Sequence, residues 1–168
     1  AHAAIIGDKL AGALIFGVRM LEATLAYLHF IAILSMTVFL GSEAALCRTE
    51  WMNGAMLRRL VRVDAIYLTF AALVLVTGTA RMVWGAKGLD WYLAQPLLHL
   101  KITIFLVMLW LSVKPALRFR QWVRAHEADG SLPAEPEVRS LRRRLMLSSH
   151  LMLVIPLPAV LVARGFSF

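Results

Sequence analysis

Residues 21–46 read LEATLAYLHFIAILSMTVFLGSEAAL, and this stretch decides the fold class. Its only acidic, basic or imidazole side chains are Glu22, His29 and Glu43. A transmembrane α-helix needs about 20 consecutive and predominantly apolar residues. The stretch meets that requirement, so the sequence predicts a first membrane-spanning helix at about residues 21–46.

Three further apolar stretches lie at about residues 63–84, 96–117 and 145–163, and Pro156 and Pro158 in the last of them predict a kink there. Each is predicted to be a helix, because unpaired backbone groups are too costly in lipid and no stretch alternates like a barrel strand. The short connections between the stretches predict antiparallel neighbours. The predicted fold class is therefore all-α, a transmembrane antiparallel four-helix bundle over residues 20–168.

The composition excludes the other broad classes of protein. Of the 168 residues, 60% are hydrophobic and 17% are charged, whereas about a quarter are charged in an ordinary soluble domain. The mean hydropathy of +0.72 excludes a disordered chain as well as a soluble one. The single cysteine, Cys47, excludes an internal disulfide framework and a cysteine-based zinc site.

Residues 1–19 precede the first span and are predicted to form a short interfacial helix. The run Leu10–Val18 is too short to cross a bilayer, and Asp8 and Lys9 interrupt the apolar residues before it. No small-residue cleavage site follows, which disfavours a signal peptide. The alternative is that Met20 is the start and that residues 1–19 are an extension upstream of it.

The basic residues predict the orientation in the membrane. Twelve of the 18 lysines and arginines lie near the end of span one or span three, or between that end and the next span: Arg48, Arg58, Arg59, Arg62, Lys114, Arg118, Arg120, Arg124, Arg139, Arg142, Arg143 and Arg144. By the positive-inside rule these two regions face the cytoplasm, and both termini face the opposite, outer side. Because this rule already explains where the positive charge lies, the expected partner is the lipid bilayer and not a nucleic acid.

Ionisable side chains within the predicted spans are the candidate functional residues, because each is costly in lipid. Grouped by depth, they form an outer cluster of His29, Arg81, His99 and Lys101 and an inner cluster of Glu43, Asp64, Lys114 and His150. The alternative for the inner cluster is that its carboxylates balance Arg48, Arg62 or Lys114 at the headgroups. Arg81 and Lys101 could likewise extend outward to the interface.

The two outer histidines suggest a haem site. His29 lies about 7 Å and His99 about 10 Å outside the predicted midplane, on spans one and three. Two imidazoles at similar depth on different helices suit axial ligation of a haem iron, and Arg81 and Lys101 could pair with its propionates. The alternative is that each histidine only forms a hydrogen bond between helices. His99 and Lys101 are about 200° apart around their helix, so both cannot point at one spot.

From Met20 to its end the chain resembles a family of four-span bacterial membrane proteins without an assigned function. The motif that carries this resemblance consists of Thr77–Gly78, Arg81, Trp84–Gly85, Lys87–Gly88, Trp91–Tyr92, Pro96, His99 and Lys101. The resemblance implies a multi-pass protein of the bacterial inner membrane.

That family is in turn similar to the flavin-independent, haem-b-containing membrane protoporphyrinogen IX oxidases. The shared features are Leu28–His29, Arg58–Arg59–Leu60 and the pair His99 and Lys101. This similarity implies that His29 and His99 are the ligands of haem b and that Lys101 is the catalytic residue or a propionate contact. The oxidases carry another histidine late in span three, where this chain reads LSVKP at 111–115. Haem binding is therefore implied more directly than porphyrinogen oxidation.

Three functions follow as hypotheses. The first is a haem b protein that acts in redox chemistry or electron transfer. It includes the case of a porphyrin-related oxidoreductase, and its small-molecule partner would be a porphyrin or a quinone. The second is a cofactor-free accessory subunit of a larger membrane complex. The third and weakest is a transporter with Glu43, Asp64 and His150 as a proton relay, because four spans without repeat symmetry do not resemble a transporter fold. Whether the protein is an enzyme is left open by the sequence.

Overall fold

A computed structural model describes residues 2–85 and 89–164 of the chain. Within these two ranges the regular structure is helical, without β-strands, which confirms the all-α class. The α-helices in chain order are α1 (His2–Leu46), α2 (Gly54–Trp84), α3 (Leu89–Leu93), α4 (Pro96–Asp129), α5 (Glu135–Val154) and α6 (Pro156–Ala163), and a 3-10 turn at Thr49–Trp51 precedes α2. Lys87–Gly88, part of the motif above, lies outside the described residues.

Local signals in the sequence set several helix ends. The Asn53 side chain accepts a hydrogen bond from the Met56 backbone N–H at 2.9 Å and caps the start of α2. Pro96 opens α4 at a first-turn position, where its missing N–H costs nothing. Gly130 ends α4 in the left-handed conformation with φ 75°, which glycine adopts without strain.

Among the described residues, three helices are long and apolar enough to cross a membrane: Ala11–Leu46 within α1, and the whole of α2 and α4, each with a mean hydropathy of 1.9 over its most apolar window. The predicted spans at 21–46, 63–84 and 96–117 fall within these helices. Apart from the N-terminal part of α1, which is described below, two further extensions exceed the predicted bounds: α2 begins at Gly54, and α4 continues to Asp129. The extra turns are rich in arginine and alanine, which favour helix although they disfavour the hydrocarbon.

The fourth predicted span, at 145–163, is divided between two helices. Helix α5 ends at Val154 and α6 begins at Pro156, with a turn at Ile155 between them. Pro156 lacks the N–H that would continue the α5 hydrogen-bond ladder, so the kink predicted from Pro156 and Pro158 is observed as a break between two helices. Neither helix is among the three of spanning length and apolarity in the described part of the chain.

Helix α1 runs unbroken from His2 to Leu46. No helix end separates residues 2–19 from the first span, so the short N-terminal helix is continuous with that span. At 1.5 Å per residue the helix is about 68 Å long, more than twice the thickness of a hydrocarbon core. Residues 11–20 are all exposed, and their placement at an interface stays a prediction.

The helices pack with a seam of buried side chains repeating every three or four residues. Helix α1 packs on α2 and α5, and α4 packs on α2, α5 and α6. The buried positions on α2 are Leu57, Leu60, Asp64, Tyr67 and Ala71, the spacing of a helix seam facing a partner. The core lies mainly beside the arginine-rich ends of the helices, and the buried seam of α2 ends at Ala71. Beyond it the helices enclose a cavity.

Candidate functional site

A cavity of ≈ 560 Å³ lies between α1, α2, α4 and the α5–α6 break. Most of its lining is apolar, and Met36, Phe105 and Met152 form part of its inner wall. Its polar lining residues are Glu22, His29, Thr79, Arg81, Gln95 and Lys101, with Trp91 and Tyr92 of α3 at the same end. A mostly apolar cavity with a few convergent polar groups is the usual form of a small-molecule site.

His29 is the buried imidazole of this cavity, with 5% of its surface exposed. Its Nδ1 lies 2.8 Å from the Thr77 Oγ1 of α2. The Leu73 carbonyl oxygen, which can only accept, lies 2.6 Å from Thr77 Oγ1, so we assign the hydroxyl proton to that bond and His29 Nδ1–H as the donor to Thr77 Oγ1. In the neutral imidazole Nε2 is therefore the unprotonated nitrogen, and its lone pair can accept a proton or bind a metal.

Gly78 allows the imidazole to lie against α2. A Cβ added at Gly78 would be 3.2 Å from His29 Cε1, which is closer than an ordinary van der Waals contact. The three residues Thr77, Gly78 and Arg81 thus present a hydrogen-bond acceptor, a space for the ring and a positive charge on the same side of α2.

Two cations line the same cavity as His29. Arg81 comes from α2 and Lys101 from α4, and both are half-buried. Within residues 2–85 and 89–164, no acidic side chain forms a salt bridge with either of them. The cavity therefore combines two cations that form no salt bridge among the described residues, one acidic residue, Glu22, and apolar walls, an arrangement that can hold an anionic group attached to an apolar body.

His99 is not brought to the cavity. It is exposed in the first turn of α4, and its Nε2 lies 2.8 Å from the carbonyl oxygen of Leu93, the last residue of α3. The sequence analysis showed that His99 and Lys101 cannot point at the same spot. In the structure Lys101 faces the cavity and His99 faces away from it. The structure thus brings together three of the four predicted site residues, His29, Arg81 and Lys101.

The predicted inner cluster is also only partly assembled. Glu43 and Asp64 are completely buried, whereas Lys114 and His150 are exposed. Asp64 Oδ2 lies 3.9 Å from a terminal nitrogen of Arg120, a partner that the sequence analysis did not identify. Both carboxyl oxygens of Glu43 are buried without a hydrogen-bond partner among the described residues, so the alternative in which a nearby arginine or lysine balances Glu43 is not observed.

Thr77 is the site residue whose role the sequence analysis missed. Its position was part of the motif carrying the resemblance, but its hydroxyl was not assigned a partner. The available signal was the spacing of Thr77, Gly78 and Arg81 along α2, which places them on one side of the helix. The residue that they face, His29, is 48 positions away in the chain, and only the packing of α1 on α2 identifies it.

The fold and the cavity together define an all-helical membrane protein with a polar site between its apolar helices. The family described as predicted membrane protein (DUF2214) matches residues 21–167, and the chain belongs to that family. No curated protein matches the chain, and no solved structure matches it. Membership of the membrane family is thus confirmed, while the similarity to protoporphyrinogen oxidases stays a prediction.

Proposed function

We propose that this chain is a haem b-binding redox protein of the bacterial inner membrane. In this proposal α1, α2, α4 and the α5–α6 pair form an antiparallel four-helix bundle, with the arginine-rich ends in the cytoplasm and both termini outside. The single observation that carries the proposal is the buried imidazole of His29, which contacts Thr77 through Nδ1 and lines a mostly apolar cavity together with Arg81 and Lys101.

The residues of the cavity fit a haem in three respects. The bond from Nδ1–H to Thr77 orients the His29 ring and leaves Nε2 for iron, as outer hydrogen bonds do at metal-binding histidines. Arg81 and Lys101 can neutralise the two propionates. The apolar side chains exclude water from the macrocycle. The bound group would supply one-electron chemistry, with a potential set by its ligand and by these charges.

The second ligand predicted from the sequence, His99, would have to leave the Leu93 carbonyl to enter the cavity. We therefore assign His29 as the principal ligand and treat ligation by His99 as an outcome of the experiment. We propose that Lys101 contacts either a propionate of the haem or an anionic substrate such as a porphyrin. The protein is an enzyme only in the second case.

The test is the absorption spectrum of the purified protein, oxidised and then reduced with dithionite. We expect a Soret band and reducible α bands in wild type, and their loss in His29→Ala. In His99→Ala we expect the bands to remain, because that side chain does not line the cavity. Absence of pigment in wild type, or an unchanged spectrum in His29→Ala, would overturn the proposal.

The accessory-subunit hypothesis has one observation in its favour. The part of α1 that extends beyond the first span exposes a run of large apolar side chains, with Leu14 at 71% and Phe16 at 66% exposed. A second membrane protein could cover this surface. Co-purification of another subunit at fixed stoichiometry from native membranes would support that function, and monomeric behaviour in mild detergent would count against it.

A further inference from the structure

The structure contains a second concave site at the arginine-rich end, separate from the cavity described above. This groove of ≈ 490 Å³ is lined by Trp110, Val113, Lys114, Leu117, Arg118, Gln121 and Arg144. All of these residues except Arg144, which comes from α5, belong to just over three turns of α4. No residue is shared with the lining of the His29 cavity.

Two rows of side chains run along this part of α4. Trp110, Val113 and Leu117 form an apolar row, and they are 68%, 53% and 53% exposed. Lys114 and Arg118 lie one residue further along and form a cationic row beside it. In a membrane protein such an exposed apolar row faces acyl chains, while the cations beside it require an anionic partner.

The cations of the groove differ in whether they already have an ion pair or a side-chain hydrogen bond within the protein. Arg118 is held in place by Glu137, 3.2 Å from its Nε, and by Gln121 Oε1 at 3.1 Å. Lys114 and Arg144 have no ion pair or side-chain hydrogen bond among the described residues. Two unpaired cations from two helices thus converge on one groove, where a phosphate can accept hydrogen bonds from both.

We propose that this groove binds the headgroup of an anionic phospholipid. The phosphate lies between Lys114 and Arg144, with Arg118 beside it, and one acyl chain lies along Trp110, Val113 and Leu117. A soluble anion would not need the apolar row, and a zwitterionic lipid would not need two uncompensated cations. The site requires no haem and is independent of the function proposed above.

The test is native mass spectrometry of the delipidated protein titrated with phosphatidylglycerol or with phosphatidylcholine of the same acyl chains. We expect one phosphatidylglycerol to be retained, with an affinity roughly tenfold above that for phosphatidylcholine. In the Lys114→Gln, Arg144→Gln double variant we expect a roughly tenfold loss of that affinity, which corresponds to about 1.4 kcal/mol. The matched control is Arg62→Gln with Arg143→Gln, which removes the same charge from exposed residues outside the groove, and we expect its affinity to be unchanged.

Two further measurements separate a lipid from a free anion. Trp110→Ala should weaken retention of phosphatidylglycerol by about threefold without changing the preference for it, because the headgroup contacts remain. Millimolar inorganic phosphate should not displace the lipid. Equal retention of the two lipids, equal losses in both double variants, or displacement by phosphate would each overturn the proposal. The circular dichroism spectrum of each variant verifies that the helices are intact.

Discussion

His29 Nδ1 lies 2.8 Å from Thr77 Oγ1, and this hydrogen bond joins α1 to α2 at the wall of the cavity. Since the Thr77 hydroxyl proton is already directed to the Leu73 carbonyl, the bond also determines which nitrogen of the imidazole carries the proton. One contact between helices thus fixes both the orientation of the ring and the atom that it offers to a ligand.

The Thr77→Val variant tests this contact. Valine keeps the shape of threonine but removes the hydroxyl, so we expect a loss of about 0.6 kcal/mol in stability, typical of a side-chain hydrogen bond between membrane helices. The matched control is Thr69→Val, since Thr69 is exposed on the same helix and its hydroxyl bonds only to the Ala65 carbonyl. Unfolding in mixed micelles measures both variants. Equal effects would show that the bond to His29 does not stabilise the fold.

The Gly78→Ala variant tests the close approach of the imidazole to α2. Alanine usually stabilises a helix relative to glycine by about 0.5–1 kcal/mol. At Gly78, however, the new Cβ would lie 3.2 Å from His29 Cε1 and displace the ring, so we expect no gain or a net loss. Gly41→Ala is the control, because nothing lies within 4 Å of a Cβ at that position. Thermal unfolding distinguishes the two, and a gain at Gly78 as large as at Gly41 would contradict the observed contact.

The buried carboxyl of Glu43 is expected to reduce stability. Both of its oxygens lack a hydrogen-bond partner among the described residues, and none of its surface is exposed. Glu43→Met keeps a similar volume and removes the unsatisfied oxygens, so it should stabilise the protein by about 1–3 kcal/mol. Glu50→Met, at an exposed position, should change stability little. Destabilisation by Glu43→Met would indicate that this carboxyl has a partner in the membrane-embedded protein.

The thiol of Cys47 is expected to be unreactive in the folded protein. It lies just beyond the end of α1, is completely buried, and its Sγ is 3.9 Å from the Val138 carbonyl oxygen. Burial raises the pKa of this thiol to about 12, and Glu43 adds to the increase. At pH 8 roughly one thiol in 10⁴ is then the reactive thiolate. Maleimide labelling should therefore be negligible in mild detergent and complete after denaturation.

The same raised pKa gives a pH dependence of stability. An unfolded cysteine ionises near pH 8.5, whereas the folded one remains neutral to about pH 12. The stabilising contribution is therefore complete below about pH 8.5 and is lost as the pH rises towards 12. A Cys47→Ala variant should lose less stability than wild type over that range. The control for the labelling is a Cys47→Ala variant that carries Glu50→Cys, whose only thiol is at an exposed position. If native wild type were labelled as rapidly as this control, the burial of the Cys47 thiol would be contradicted.

Much of the fold followed from the sequence because the bilayer imposes simple requirements. Of the four spans predicted from apolar stretches, three lie in described helices that are long and apolar enough to cross a membrane, and the kink predicted at Pro156 and Pro158 is observed as the break between α5 and α6. The arginine-rich turns were assigned to loops, yet α2 and α4 include them. Hydropathy reports where lipid ends, whereas a helix continues as long as its backbone hydrogen bonds and local propensities allow.

The candidate site was predictable as a set of residue types but not as an arrangement. The positions of His29, His99, Arg81 and Lys101 within the predicted spans placed them at a similar depth in the membrane. Helix geometry showed that His99 and Lys101 cannot face the same point. Nothing in the local sequence could decide which of them faces inward, because both are costly in lipid and both can find a polar partner. The packing of α4 against its neighbours makes that choice.

The sequence by itself therefore determined that this protein is helical and embedded in a membrane, because length, apolarity and the cost of unpaired backbone groups in lipid leave little alternative. Only the tertiary structure decided that Lys101 enters the cavity while His99 remains outside. It also decided that Thr77, 48 residues from His29, orients the imidazole. Such pairings depend on the rotation of each helix about its own axis, which is fixed by contacts between side chains distant in the chain.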